Sequence, residues 1–556
     1  MFGGSDWIEL IVAVALVALI LLRPCMEPGF RALAEKTGWC MLLLAILPVA
    51  LRLALLAHHP VPAPEIYDEF GHLLEADTLL HFRLANPPHP LHQFFETLFV
   101  LQEPTNSSIY PVGQGLSLAL GRILFGLAWG GVLLSTATFC SLCYWMLRGW
   151  ASPALALLGG LLAVMEFGPL NQWMNSYWGG SLTAAAGCLV FGALPRLRTG
   201  WRLRDGVILG VGMAIHLLTR PYESVFLVAA VLLFFVGRRP DESGRGRLRA
   251  CATAAGIPVL VAVAVILLQN QRVTGHWTTL PYHLSQYQYG VPAALTFQTN
   301  PVPHLQLTPE QQMDYKMQSS FRGVDHETTG SFLRRLEYRV RYYRFYFLVP
   351  LYIALLAFLA SIRTYSYLWV ALTAVLFALG TNFFPAFQYH YIAAIVCLFV
   401  LISVVGLQRL RAGPLPVGLC LIHFAFFYGQ ALGSRTEPTR RALVQDALAR
   451  APGRQLVFVR YWPGHIFQDE WVYNDADIDH SAIVWARDLG AENEKLRHYY
   501  PDRTAWVLEP DARPPKLSAY QPEPTAPVVP VPTAIPPQEK QKPKPSQPLL
   551  RFQDVK

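Results

Sequence analysis

Long apolar runs separated by short arginine-bearing gaps recur along this chain from Trp7 to Leu432, and a lipid bilayer is the solvent in which such a pattern folds. A hydrocarbon core of about 30 Å is crossed by roughly 20 apolar residues as a helix, fewer where neighbouring helices bury the ends, because a helix satisfies its own backbone groups there. On this basis twelve spans are expected, at 7–22, 39–57, 128–147, 153–167, 180–195, 204–219, 222–236, 250–269, 344–361, 366–382, 389–407 and 414–432. A further apolar helix at 113–127, interrupted by Arg122 and bounded by Gly126, reads as interfacial. With 53% hydrophobic and 15% charged residues among 556, the composition excludes an ordinary soluble protein.

The basic residues orient the spans. The first run has no basic residue before it and Arg23 after it, so it reads as an uncleaved helix with its amino end away from the cytoplasm. Loops then assigned to the cytoplasm hold sixteen basic residues, from Arg23 to Arg411, whereas the short loops on the other face hold only Arg220. Three large polar segments, 58–112, 270–343 and the residues after 433, share that outer face. The net charge of +8 resides in these cytoplasmic clusters and is not a nucleic-acid footprint. All eight cysteines fall in or beside apolar segments, so no disulfide framework is implied. Past the last span, a helical pattern at Arg440–Arg450, β-rich runs at Gln455–Val459 and Ala505–Leu508, and a second helical pattern near Glu492–Tyr499 predict a small α/β domain over 434–513. Residues 514–556, rich in Pro and Lys, are expected to be disordered.

The first outer segment concentrates the polar chemistry. It opens on Asp68 and Glu69 at the head of a helical pattern, with Asp68, His72 and Glu75 at i, i+4 and i+7, a polar face expected to lie along the membrane surface. A partly desolvated carboxylate beside a histidine suits a general base acting on an alcohol; the same spacing also fits a solvated amphipathic helix.

Taken together, the Asp68-Glu69 pair after an early span, Tyr110-Pro111, Leu124-Phe125-Gly126, Leu218-Thr219-Arg220-Pro221-Tyr222-Glu223, Asn270 with Val273-Thr274-Gly275, Leu280-Pro281-Tyr282 and Gln388-Tyr389-His390-Tyr391 resemble the GT-C membrane glycosyltransferases. Within them the chain is most similar to the protein mannosyltransferase and aminoarabinose transferase relatives of glycosyltransferase family 39, over roughly residues 39–432. The resemblance implies a mainly α, polytopic GT-C-type domain over 1–433 that transfers a sugar, with inversion, from a polyprenyl-phosphate donor to an acceptor hydroxyl on the outer face, with Asp68 as base and Glu69 its neighbour. The acceptor it implies is a lipid, glycan or protein, and the short cytoplasmic loops suggest the inner membrane of a bacterium. Such relatives often carry a second acid in the next outer loop; here Gly168–Gly180 has none, and Glu166 stands just before it.

A departing lipid phosphate needs cationic donors, and Arg220, with Arg272 beside it in rank, is assigned that role; an ion pair with Glu223 or an interfacial anchor is the alternative for Arg220. Candidate substrate contacts are His72, Glu166, Asn175, Tyr177, Trp178, Glu223, Tyr282, Tyr389 and His390. Glu166 also fits a structural pair with Arg52 or Arg122. The spacing of His72, His81, His89 and His92 matches no closed zinc site, and Asp475, Asp477 and Asp479 lack the glycine and final acid of a calcium loop, so no metal or other cofactor is expected. From a different class, a transporter or flippase for lipid-linked glycans would use the same groove for binding alone, and would place ionisable residues along a path through the membrane.

Overall fold

The computed structural model of the protein describes residues 14–15, 27–236, 242–320, 327–410 and 415–521. The expected span at 7–22 lies outside them apart from Val14 and Ala15. Among the described residues five helices are long and apolar enough to cross a membrane: Thr37–Ala54, Trp129–Leu147, Arg245–Thr274, Ala393–Leu410 and Leu415–Gly433. Shorter apolar helices occupy Val112–Phe125, Pro153–Phe167, Pro221–Phe235 and Tyr365–Thr381, and the runs expected at 180–195 and 204–219 form Ser181–Gly200 and Leu203–Thr219. The run at 344–361 differs from expectation. It is no single helix but a chain bent by 107° between Thr329–Tyr346 and Val349–Leu359, where the Phe347 backbone is extended (ψ 131) and Pro350, at the start of the second helix, has no N–H to give the preceding turn.

Burial ranks these helices. Ala393–Leu410 is 83% buried and runs through the centre of the bundle, whereas Arg245–Thr274 is 11% buried and presents its apolar side chains outward, as a lipid-facing helix does. Small residues set the closest approaches: a Cβ on Gly121 would fall 2.0 Å from the Gly131 nitrogen, which lets Val112–Phe125 fold back tightly on Trp129–Leu147. The turn between them starts at Gly126, left-handed at φ 74, whose N–H closes the preceding helix on the Arg122 carbonyl.

The C-terminal segment forms a four-stranded sheet in the order Ile483–Arg487, Arg454–Val459, Arg503–Glu509, Lys516–Ala519; the first three are parallel and the last antiparallel. The sheet thus runs past residue 513, since Lys516–Ala519 pairs through its main chain as an edge strand, which the preceding prolines do not prevent. Both sheet faces are covered, which is why the inner strands carry the apolar runs 456–459 and 505–508. Val457, Val459, Trp485 and Leu508 pack on Val444 and Leu448 of the Arg440–Arg450 helix. Leu456, Phe458, Val484 and Ala486 pack on Phe94 and Phe95 of the first polar segment. The second polar segment joins them through its Pro309–Ser320 helix, where Arg487 donates to Glu310 at 2.5 Å and to Glu470 at 2.9 Å. The three polar segments are therefore one packed assembly.

Candidate active site

Asp68 and Glu69 occupy the first turn of the Tyr67–Leu80 helix, whose N-terminus favours acids. Their side chains do different things. The Glu69 carboxylate accepts from three backbone N–H groups, those of Glu65 (2.9 Å), Ile66 (3.2 Å) and Tyr177 (2.8 Å), and is 4% exposed. It closes the helix end and ties the segment to the 168–180 loop. Burial pushes its pKa up while those N–H groups pull it down. Asp68 turns the other way, half-buried, and accepts the Tyr110 hydroxyl. Burial raises its pKa to about 6, against the Tyr110 hydrogen bond and the charge of Arg220; the neighbouring Glu69 raises it further.

The polar face of this helix does not lie along a membrane surface. His72 is 8% and Glu75 1% exposed. Phe70 on the other side stacks on Tyr473 at 4.4 Å beneath the Arg441 guanidinium, and Gly115 of the Val112–Phe125 helix lies so close to Glu75 that a Cβ there would fall 2.4 Å from its Cγ. Asp77, near the helix end, pairs with Arg122 at 2.7 Å and accepts the Ala476 N–H at 2.8 Å. Periodicity identified the face; the C-terminal segment and the next helix decided that it would be enclosed. His72 stacks on Tyr110 with centroids 4.3 Å apart, and burial with the charge of Arg220 holds its pKa at about 3, so it is neutral at physiological pH.

Arg220 stands at the junction between Leu203–Thr219 and Pro221–Phe235, where Pro221 starts the second helix without needing an N–H acceptor. Its guanidinium lies 3.7 Å from Glu223, a loose pair beyond hydrogen-bond length, and 4.9 Å from the Tyr391 ring. Its charge acts on Asp68, His72, Tyr282, His390 and Tyr391. Trp178 meets His390 edge-on at 5.5 Å. The Tyr282 hydroxyl donates to the Ala293 carbonyl at 3.2 Å.

Other expected contacts are committed elsewhere. Asn175 accepts from Arg52 at 2.6 Å and donates to the Pro169 and Asn171 carbonyls, so it braces its own loop. Tyr177 lends its N–H to Glu69 and its hydroxyl to the Pro62 carbonyl. Tyr389 stacks on Tyr346 at 4.4 Å within an aromatic cluster that includes Trp173. Arg272 is exposed, and no hydrogen bond or ion pair among the described residues joins it to Asp68 or Arg220. Glu166 is paired with neither Arg52 nor Arg122, which serve Asn175 and Asp77; it lines a separate cavity of about 310 Å³ with Leu348, His423 and Phe427. Among the described residues no three His, Cys, Asp or Glu side chains are grouped to hold a metal; His89, for one, faces Asp479 and Tyr500.

Sequence reasoning passed over Tyr110 and Tyr391 as site residues, although both stand in quoted motifs, and overlooked Asp314, which is 0% exposed. An aspartate in a polar helical stretch carries no local mark of burial.

No protein-family model matches the chain and no curated protein matches it. Among solved structures it is similar to ArnT from Cupriavidus metallidurans in the apo state, with 12% identity, 85% of this chain and 93% of that chain covered, and a TM-score of 0.49. The same protein bound to undecaprenyl phosphate matches at 11% identity over the same shares, with a TM-score of 0.46. The Archaeoglobus fulgidus oligosaccharyltransferase in complex with Zn and sulfate matches at 10% identity over 84% of this chain and 67% of that chain, with a TM-score of 0.44.

Proposed function

We propose that this protein is a membrane glycosyltransferase that moves a sugar from a polyprenyl-phosphate-linked donor to an acceptor hydroxyl on the extracytoplasmic face, with Asp68 as general base and inversion at the anomeric carbon. The observation that carries this reading is the setting of Asp68, a half-buried carboxylate held by Tyr110 within the field of the Arg220 guanidinium. A base within the field of a cation matches the two demands of the displacement. The acceptor oxygen attacks the anomeric carbon and loses its proton to Asp68, while the bond from that carbon to the phosphate oxygen breaks and the electron pair leaves with the lipid phosphate, whose charge Arg220 receives. With its pKa near 6, Asp68 is ionised at neutral pH and remains basic enough to accept a proton in the transition state. Trp178 and His390 offer ring faces against which a sugar packs. A donor already carried by a lipid agrees with a site built on apolar helices, and the acceptor class is a lipid, glycan or protein hydroxyl.

The test is Asp68→Asn in purified protein reconstituted with polyprenyl-phosphate sugars. The variant should fold and bind donor as the parent does and lose transfer by on the order of 10²-fold or more, the scale of a positioned general base. Transfer at the parental rate overturns the proposal.

A further inference from the structure

Five arginines fall within the eleven residues from Arg334 to Arg344, along the helix Thr329–Tyr342 and the turn Tyr343–Tyr346 that continues it. The fold divides them between two faces. Arg339, 0% exposed, donates to the Asn382 side chain at 3.0 Å and to the Phe384 and Ala386 carbonyls, and its guanidinium lies 4.9 Å from the Phe387 ring. Arg335 pairs with Glu327 and donates to the Asn382 carbonyl at 2.9 Å. Arg334, Arg341 and Arg344 stand on the opposite face and are exposed. Glu337 is the one acid between Thr329 and Tyr346, and it pairs with Arg341 at 2.5 Å. Among the described residues Arg334 and Arg344 have no ion pair, and the Arg344 guanidinium rests over its neighbour Phe345 at 4.7 Å.

The same face exposes apolar surface. At 3.6 residues per turn, Leu333 and Val340 flank the arginine band on one side and Tyr338 and Phe345 on the other, and each is about half exposed. Arginines interleaved with aliphatic and aromatic side chains suit the headgroup layer of a bilayer, where the apolar parts enter the acyl boundary and the guanidinium groups stay among phosphates. The chain path puts the helix at that level. After Tyr346 it turns by 107° into Val349–Leu359, where Ile353, Leu356 and Leu359 are exposed as on a lipid-facing helix. A helix nearly perpendicular to a segment that enters lipid lies along the bilayer surface. It is not free to roll its outer arginines inward, because Arg335, Arg339 and the Tyr346 hydroxyl, which donates to the Tyr389 carbonyl at 2.5 Å, hold its other face.

We propose that Arg334, Arg341 and Arg344, with Tyr338 and Phe345 beside them, form a binding surface for the anionic phospholipid headgroups of the surrounding bilayer. Three arginines against one glutamate leave this face positive, and guanidinium forks match phosphate oxygens. Arg341 and Arg344, three residues apart, are near enough to share one phosphate, and Arg334 lies two turns earlier for a second. A zwitterionic headgroup brings a cation of its own to the arginines and gains less. A second copy of this chain, meeting the face with its own in a two-fold contact, sets arginine against arginine. The binding does not depend on which reaction the protein performs.

The experiment uses full-length protein carrying a photoreactive benzoylphenylalanine at position 338, in nanodiscs of equal parts phosphatidylglycerol and phosphatidylcholine with the same acyl chains. After illumination, mass spectrometry of the peptide that contains position 338 should find phosphatidylglycerol adducts in several-fold excess over phosphatidylcholine. The excess should fall toward equality in high salt, which screens exposed charges, and should be lost in R334Q/R341Q/R344Q. Equal adducts of the two lipids, an adduct to a second protein chain, or an excess that survives in the glutamine variant overturns the proposal. Should that variant fail to fold, the parent decides alone: an excess that salt does not diminish overturns the proposal as well.

Discussion

The Tyr110 hydroxyl donates to the Asp68 carboxylate across 42 residues of sequence, and it is the only side-chain hydrogen bond that Asp68 makes among the described residues. A donor on a carboxylate favours the charged form, so Tyr110 holds Asp68 below the value that burial alone would set. Removing it in Y110F raises the Asp68 pKa above about 6, and the acid limb of the pH profile of kcat/KM moves to higher pH. The variant should fall several-fold below the parent at pH 6 and approach it at pH 8. A profile lowered by one factor at every pH would mean that Tyr110 acts on something other than the Asp68 proton.

Glu69 and Asp68 are adjacent and should respond oppositely to amidation. E69Q places an amide among three N–H donors that only acceptors satisfy, which costs about 1–3 kcal/mol. D68N removes a half-buried charge held by one hydroxyl and should leave stability unchanged. Thermal unfolding in detergent separates them: a lower Tm for E69Q and not for D68N is expected. Unchanged unfolding with abolished transfer in E69Q would make Glu69 a participant in the reaction.

Arg487 joins the C-terminal sheet to both outer segments through Glu310, Glu470 and the Glu96 carbonyl. R487M strands two buried carboxylates and should destabilise the assembly by about 3–5 kcal/mol. Adding E310Q and E470Q should restore part of the loss, since no charge is then left unpaired. Scanning fluorimetry of the single and triple variants reads this, and equal losses in both would place the effect in packing.

Burial raises the pKa of Glu75 to about 8. The folded protein therefore binds that proton more tightly than the unfolded chain. The stabilisation is complete below about 4.5, the usual glutamate value, and is lost as pH rises through about 8. E75Q, which stays neutral, should flatten the decline of Tm between pH 5 and 8.5. A decline as steep as the parent's would show that other groups cause it.

The apolar period marked out helices such as Pro153–Phe167 and Trp129–Leu147 because lipid obliges each run to satisfy its backbone internally, a demand that acts within about twenty residues. At 344–361 the chain bends beside Pro350 within a run whose composition alone looks continuous. The period also set Asp68, His72 and Glu75 on one face and left their surroundings open.

Composition, period and the placement of arginines determined by themselves that this chain is a helical membrane protein with three polar segments and an acid pair at the head of the first, since these follow from short-range rules of solvation and turn geometry. Which of those acids is free to act was a matter for the tertiary structure alone. Glu69 is bound by a backbone N–H from Tyr177, Asp68 accepts the Tyr110 hydroxyl within the field of Arg220, and Glu310 is held by Arg487 of the C-terminal sheet. None of these partners has a local signal, because desolvation and charge pairing depend on what packs nearby in space and not on what stands nearby in the chain.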